Sequence, residues 1–263
     1  MADEVLAHVE GNIGVLELNR PDKFNCISRA LVKSLNEGMD ALERNPDVRA
    51  VVVHGAGKVF CTGADLTEIL ETREDSAALH ELLDDLLQGL RRFETSPLPV
   101  IAAVHGLVLA GGLEIVMSCD IVFAARSAKL GDQHAQYGLV PGGGNSQRLT
   151  RILGRRRALD LMFTARWLEA EEACDWGLVN YVCDDDKLLD DAKAYAGKLA
   201  ALSSEGLAMM KQMTDQGLDM SLPDGLALEI RMAAEGLRSA DSSEGLNAFQ
   251  ERRAPQFGTR RVD

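Results

Sequence analysis

The stretch His105 to Asp120, HGLVLAGGLEIVMSCD, decides how this chain is read. An apolar strand, Pro99 to Val104, runs into glycines and then into a short apolar helix that carries a single acid, Glu114. A carboxylate inside an apolar segment is unfavourable unless it is paired, hydrogen-bonded or protonated. Gly111 and Gly112, just before it, let backbone approach a ligand or another chain segment closely. N–H groups at a helix start favour negative charge. An acid beside such an amide is the layout expected for chemistry through an enolate. On the residues alone a structural reading competes: the glycines would serve helix packing and Glu114 would make a buried salt bridge.

To either side of this stretch the chain alternates strand and helix. Val5 to Val9 and Ile13 to Leu18, separated by Glu10-Gly11-Asn12, read as an antiparallel hairpin. Ser28 caps a helix with Leu31, Leu35, Met39 and Leu42 at helical spacing, stopped by Asn45-Pro46. Val48 to His54 is an apolar strand of the kind buried on both faces. The turn Gly55 to Leu66 ends in a glycine that opens a helix, a second place where a free amide could face a ligand. Glu74 to Glu94 is a helix, and Pro97 and Pro99 break it. Beyond the opening stretch come strands at Ile121 to Ala125 and from Lys129, then helices at Ser146 to Leu153, Arg155 to Phe163 and Leu188 to Leu202. Leu159 to Phe163 reads as core, and the run Arg155 to Arg157 as a solvated face or subunit contact. This alternation predicts an α/β region over residues 1–200. Residues 201–263 read as all helix; the apolar set Leu222, Leu226, Ile230, Ala233 and Leu237 has to pack on the core or on a neighbouring subunit.

Composition narrows the function classes. With 263 residues, 46% hydrophobic and 26% charged, the chain has the make-up of a globular protein with a substantial core. A formal charge of −13 argues against general nucleic-acid binding, which needs Lys and Arg against phosphate. Five cysteines without metal-ligand spacing predict free thiols in a reduced compartment, and no metal site. The acidic, strand-like N-terminal sequence lacks the pattern of a secretory signal, so the cytoplasm is the expected location. His105, Glu114, Asp120 and several glycines argue against a membrane span in the apolar region Leu98 to Ala125.

Three separated segments resemble the crotonase (enoyl-CoA hydratase/isomerase) superfamily: Phe60-Cys-Thr-Gly-Ala-Asp-Leu66, Gly106 to Glu114 followed by Met117-Ser-Cys-Asp-Ile121, and Gly138-Leu-Val-Pro-Gly-Gly-Gly-Asn-Ser-Gln-Arg-Leu149. Two weaker matches, Leu18-Asn-Arg-Pro21 and Ala248 to Phe257, extend the similarity across the chain. The resemblance implies a spiral of ββα units with a C-terminal helical trimerisation region, assembled as a homotrimer or a dimer of trimers. It implies an acyl-CoA thioester substrate, coenzyme A entering only as part of that substrate, with no other cofactor. By the same resemblance, the backbone amides of Ala64 and Gly111 form an oxyanion hole and Glu114 is the first acid/base group. Coenzyme A would lie along Ala64, Asp65 and Leu66, with Asp22, Lys23 and Phe24 as phosphate or pantetheine neighbours.

The main departure from the family pattern is His134, which stands where a second glutamate is usual. Histidine serves as acid or base near neutral pH, so a Glu/His pair is competent for hydration. It leaves open isomerisation, decarboxylation or hydrolytic C–C cleavage, or a structural role on the loop. Val108 and Ala110 depart in a smaller way, by narrowing the acyl pocket. The function expected is that of a 2-enoyl-CoA hydratase; the alternatives are another crotonase-type reaction or a non-catalytic acyl-CoA-binding protein.

Overall fold

The strands of this chain run from two to six residues. The computed structural model describes residues 3–260 and 262. The predicted hairpin is present as β1 (Val5–Glu10) and β2 (Ile13–Leu18), turning at Gly11 with a φ of +60°. Helix α1 (Arg29–Arg44) is capped by Ser28, whose Oγ accepts a 3.0 Å hydrogen bond from the Leu31 N–H. It buries Leu31, Leu35, Met39 and Leu42 as its spacing requires.

Next come β3 (Ala50–Gly55), α2 (Leu66–Thr72), α3 (Ser76–Thr95), β4 (Val100–Val104), β5 (Leu107–Leu109), α4 (Gly111–Ser118), β6 (Ile121–Ala125) and β7 (Lys129–Gly131). They are followed by α5 (Asn145–Leu153), α6 (Arg155–Thr164), β8 (Leu168–Glu169), α7 (Ala170–Asp175), β9 (Tyr181–Cys183) and α8 (Leu188–Ala200). Beyond Ala200 the described residues form only helices: α9 (Ser204–Gly217), α10 (Leu222–Gly236) and α11 (Ala240–Glu251).

Two sheets result. The larger runs β1-β2-β3-β4-β6-β9, with every pairing after the hairpin parallel, and its central strands are apolar and buried on both faces. The smaller runs β5-β7-β8. Strand β4 lies in the first sheet and β5 in the second, and then α4 follows; β6 and β7 repeat that step. The fold is therefore the spiral of ββα units that the family resemblance implies.

What holds the two sheets at the right separation is backbone against backbone. Cys61 bridges to Val108 in β5, its N–H donating to Leu107 O and its carbonyl accepting from Leu109 N–H at 3.0 Å. A Cβ on Gly112 would sit 2.2 Å from the Cys61 carbonyl oxygen. Gly112 thus serves packing, as the structural reading of the sequence had it.

Lys211 of α9 pegs the helical tail to the core. Its ammonium donates to Asp120 Oδ2 at 2.8 Å and to the Phe93 carbonyl at 2.7 Å. The apolar positions read from the tail sequence face outward: α10 buries Leu228 and Met232, while Leu222, Leu226, Ile230 and Leu237 are exposed, Ile230 by 73%. In α6, Leu161 is core, but Phe163, read as core with it, is exposed. No helix among the described residues is long and apolar enough to cross a membrane.

Replacing Gly112 with Ala should destabilise the protein at the upper end of the ~1–3 kcal/mol typical of overpacking, because the obstructing atom is backbone and cannot rotate away. Thermal unfolding would show this as a Tm several degrees lower; an unchanged Tm would mean the two segments are not in this contact.

Candidate active site

The site forms where two parallel strands of the smaller sheet end. Strands β5 and β7 are in register with Leu109 opposite Gly131, so the residues that follow them, Ala110-Gly111 and Asp132, are neighbours in space. The Ala110 N–H donates to the Gly131 carbonyl at 2.9 Å and fixes that adjacency. Ligand sites at the carboxyl ends of parallel strands are a general consequence of such sheets.

Alongside lies the turn at Gly63-Ala64. Ile27 N–H donates to the Gly63 carbonyl, and the Asp65 N–H to the Ile27 carbonyl, each at 2.8 Å. These are the bonds of a parallel bridge between Ile27 and Ala64, and in such a bridge the N–H of Ala64 itself turns to the opposite side. On the other side is the start of α4: a Cβ on Gly111 would lie 3.3 Å from the Gly63 Cα. Gly111 is the first residue of α4, so its N–H has no partner within the helix. Two orphan amides therefore sit on two turns in backbone contact.

The turn between β5 and α4 is strained. Ala110 has φ +48° and ψ −114°, a conformation that glycine adopts freely and a residue with Cβ does not.

Glu114 follows within the first turn of α4 and is only 5% exposed. Among the described residues no Lys or Arg pairs with it. Its Oε1 accepts a 3.1 Å hydrogen bond from the Asn145 N–H at the start of α5. A Cβ on Gly143 would stand 2.2 Å from Oε2, so the loop before α5 presses directly on the carboxyl group. Arg148 holds that loop, its Nε donating to Glu94 Oε1 on α3 and its Nη1 to the Gly143 carbonyl, both at 2.5 Å. Burial raises the Glu114 pKa above the usual carboxylate range; the amides of Asn145 and Gly143 and the charge on His134 offset part of that rise.

His134 opens a short 3-10 turn, His134–Tyr137, just past β7. Its side chain is mostly covered, and Nδ1 lies 3.1 Å from Asp132 Oδ2. Burial works against its cationic form, but the contact with Asp132 and the negative charges of Asp132 and Glu114 prevail and raise its pKa. Glu114 and His134 are thus in electrostatic contact, on elements brought together by the β5/β7 pairing.

The turn at 20–26 is stitched to the first amide turn. Asn25, fully buried with φ +52°, donates from Nδ2 to the carbonyls of Ala56 and Val59, each at 2.9 Å. Arg20 donates to Asp65 Oδ2 at 3.0 Å and to the Cys26 carbonyl at 2.6 Å. Asp22, Lys23 and Phe24 are exposed on this turn, which joins the Gly63-Ala64 turn through Arg20 and Ile27. The Asp65 carboxylate is committed to Arg20 and to capping α2 at Thr67, and its backbone N–H to the Ile27 carbonyl, so Asp65 braces the turn. Beneath the amide turns lies Cys61, where burial pushes the thiol up to about 12, too high for a thiolate nucleophile. Among the described residues no group of three His, Cys, Asp or Glu is placed to hold a metal ion.

The family model for enoyl-CoA hydratase/isomerase matches residues 8–260. The chain belongs to the enoyl-CoA hydratase/isomerase family. A probable enoyl-CoA hydratase of Bacillus subtilis is 36% identical over 252 residues, covering 95% of this chain and 96% of that protein. Another, of Mycobacterium tuberculosis, is 34% identical over 255 residues, covering 97% and 98%. The crystal structure of an enoyl-CoA hydratase from Polaromonas sp. JS666 superposes with a TM-score of 0.93 at 31% identity, covering 97% of this chain and 99% of that one.

Two further residues at this enoyl-CoA hydratase/isomerase-family site were not singled out by the sequence pattern. Asp132 and Asn145 are both buried, and the Asn145 Nδ2 donates to Asp132 Oδ2 at 2.7 Å. The signal for Asp132 was an acid two residues before a histidine; for Asn145 it was a polar residue closing a Gly-Gly-Gly turn into a helix.

Gly143→Ala should leave the protein folded, because the Glu114 side chain can rotate aside, but should lower kcat by about 100-fold or more, the size of effect expected from a ~1 Å misplacement of a catalytic group. Steady-state kinetics beside a thermal melt would check both halves.

Proposed function

We propose that this chain is a 2-enoyl-CoA hydratase, and that Glu114 and His134 divide the acid/base work. The observation that carries the reading is the pair of unlike titratable groups beside two orphan amides. Hydration needs a base for water and an acid for Cα, whereas isomerisation can be run by one carboxylate. The hydratase names of relatives matching over nearly the whole chain support it as well.

In this mechanism the Glu114 carboxylate takes a proton from water as the oxygen attacks Cβ of the enoyl thioester. The electron pair moves through Cα and the carbonyl carbon to the thioester oxygen, which accepts hydrogen bonds from the amides of Ala64 and Gly111. One such donor is worth roughly 3 kcal/mol in other oxyanion holes. As the enolate collapses, His134 delivers a proton to Cα. Glu114 and His134 then exchange protons with solvent and the site is reset.

Coenzyme A enters as part of the substrate, along the exposed turn of Asp22, Lys23 and Phe24 and the backbone of Ala64 to Leu66. The outward apolar face of α10 supports assembly as a homotrimer or dimer of trimers, since a patch of this kind is otherwise a liability in water. The acidic charge and unpaired cysteines support a cytoplasmic protein without nucleic-acid partners.

Purified protein should consume the enoyl absorbance of crotonyl-CoA or of longer enoyl-CoAs, and Glu114→Gln should lower kcat by about 10²–10⁴-fold. No turnover at any chain length defeats the hydratase reading. Product analysis in deuterated solvent separates hydration from isomerisation, decarboxylation and C–C hydrolysis; tight acyl-CoA binding without turnover would mark a non-catalytic binder.

The pH profile follows from the two shifts. Glu114 must be ionised, and its raised pKa places the acid limb above the ordinary ~4.5 of a glutamate. His134 must be protonated, and its raised pKa places the alkaline limb above ~6.5. Plotting kcat/KM against pH should give a bell flanked by these two raised pKa values, with the alkaline limb absent in His134→Gln.

A further inference from the structure

We infer that Asp132 is the positioning residue of His134: it holds the Nδ1 edge of the imidazole and leaves Nε2 as the edge that passes the proton to substrate. This rests on the acid role given to His134 above, and adds to it the group that makes a histidine workable where a glutamate is usual.

Three contacts define the arrangement. Asp132 is 1% exposed, with its Oδ1 accepting from the His134 backbone N–H at 3.2 Å. Its Oδ2 accepts from Asn145 Nδ2 at 2.7 Å and faces His134 Nδ1 at 3.1 Å. The Nδ1 contact is close but off the line of a well-formed hydrogen bond, and Asn145 Oδ1 is also buried without a partner. Nε2 has no hydrogen-bond partner among the described residues. One carboxylate thus grips the backbone and ring of the same histidine, and the Asn145 that steadies it also donates from its backbone to Glu114. Asp132 and Asn145 therefore tie the two titratable groups into one frame.

A buried carboxylate beside an imidazole fixes its tautomer and favours its cation, whereas an isolated buried imidazole would be held neutral. A neutral His134 could not serve as the acid across the neutral range. The charged groups that face it are Asp132 from its own loop and Glu114 from α4. Helix α6 also packs on this turn, but its Asp160 is paired with Arg166 at 2.9 Å. Asp132 is therefore the group whose removal should uncouple the ring from its surroundings.

The test uses the full-length protein with Asp132→Asn, Asp132→Glu and His134→Gln, and reads two quantities. The first is the titration of the His134 ring by NMR in protein labelled at histidine, assigned by its loss in His134→Gln. In the unmutated protein the ring should titrate above ~6.5; in Asp132→Asn it should titrate lower, and Asp132→Glu should restore part of the shift. The second is the kinetic profile. Asp132→Asn should lower kcat by at least about tenfold, a part of the ~10²–10⁴-fold a general acid supplies, leave KM within about twofold, and move the alkaline limb to lower pH by as much as the ring titration moves. In a His134→Gln background the same change should have no further effect on kcat.

An unshifted ring titration in Asp132→Asn, or an equal loss of kcat in the His134→Gln background, overturns the inference. So does a ring that titrates at or below ~6.5 in the unmutated protein, which decides the matter even if the Asp132 variants fail to fold. The ring titration is independent of the reaction. Coupling without hydration would uphold Asp132 and refute the hydratase reading, whereas hydration without coupling would do the reverse.

Discussion

The burial of one carboxylate is the constraint on which the rest of this structure turns. Glu114 sits in an apolar helix with no Lys or Arg paired to it among the described residues, and what makes it tolerable is a 3.1 Å hydrogen bond from the Asn145 N–H, the close approach of Gly143 and the charge on His134. To supply that amide, α5 must begin at one place, and the glycine turn before it must carry no side chain. Arg148 and Glu94 then clamp the turn from outside. The demand of one buried carboxylate is thus met by the backbone of a segment about thirty residues away, and the cost of holding the acid is spread through α3, α4 and α5.

The same economy of position accounts for the histidine. Strand β7 delivers Asp132 and His134 to the point where β5 delivers Ala110 and Gly111, because the two strands are parallel and in register. A glutamate in the usual position could act without an anionic neighbour. A histidine there needs one, and Asp132 supplies it from two residues away. The substitution is better understood as an exchange of a carboxylic acid for a coupled acid–imidazole pair than as the change of one side chain.

Much of this was legible in the sequence. The Gly111-Gly112 turn, the lone Glu114 and the second glycine turn at Gly63 stood out because glycine and buried charge are informative without context. Long elements also declared themselves: α1 by its cap and spacing, β4 and β6 by their unbroken apolar runs. Strands β5, β7 and β8 did not, or only in part, because two or three residues carry no periodicity, and these strands exist only through pairing with one another. Asp132 and Asn145 escaped notice for the same reason, since their roles arise from contacts between segments. The apolar positions of α10 were expected to pack on the core or on a neighbouring subunit, and within one chain most of them point away from the core. The sequence pattern measured a hydrophobic stripe and could not say on which molecule its cover lies.

The Asn145–Glu114 bond also bears on how the chain reaches its native state. When β4, β5 and α4 have formed, the acid at position 114 is already enclosed by apolar neighbours, yet its donor lies in a segment not synthesised until some thirty residues later. Until α5 is in place the group lacks that donor, and it is protonated or left open to water. The residue proposed to activate water thus shares a backbone donor with the docking of α5, so the charge of the site and the closure of the core are linked through that amide.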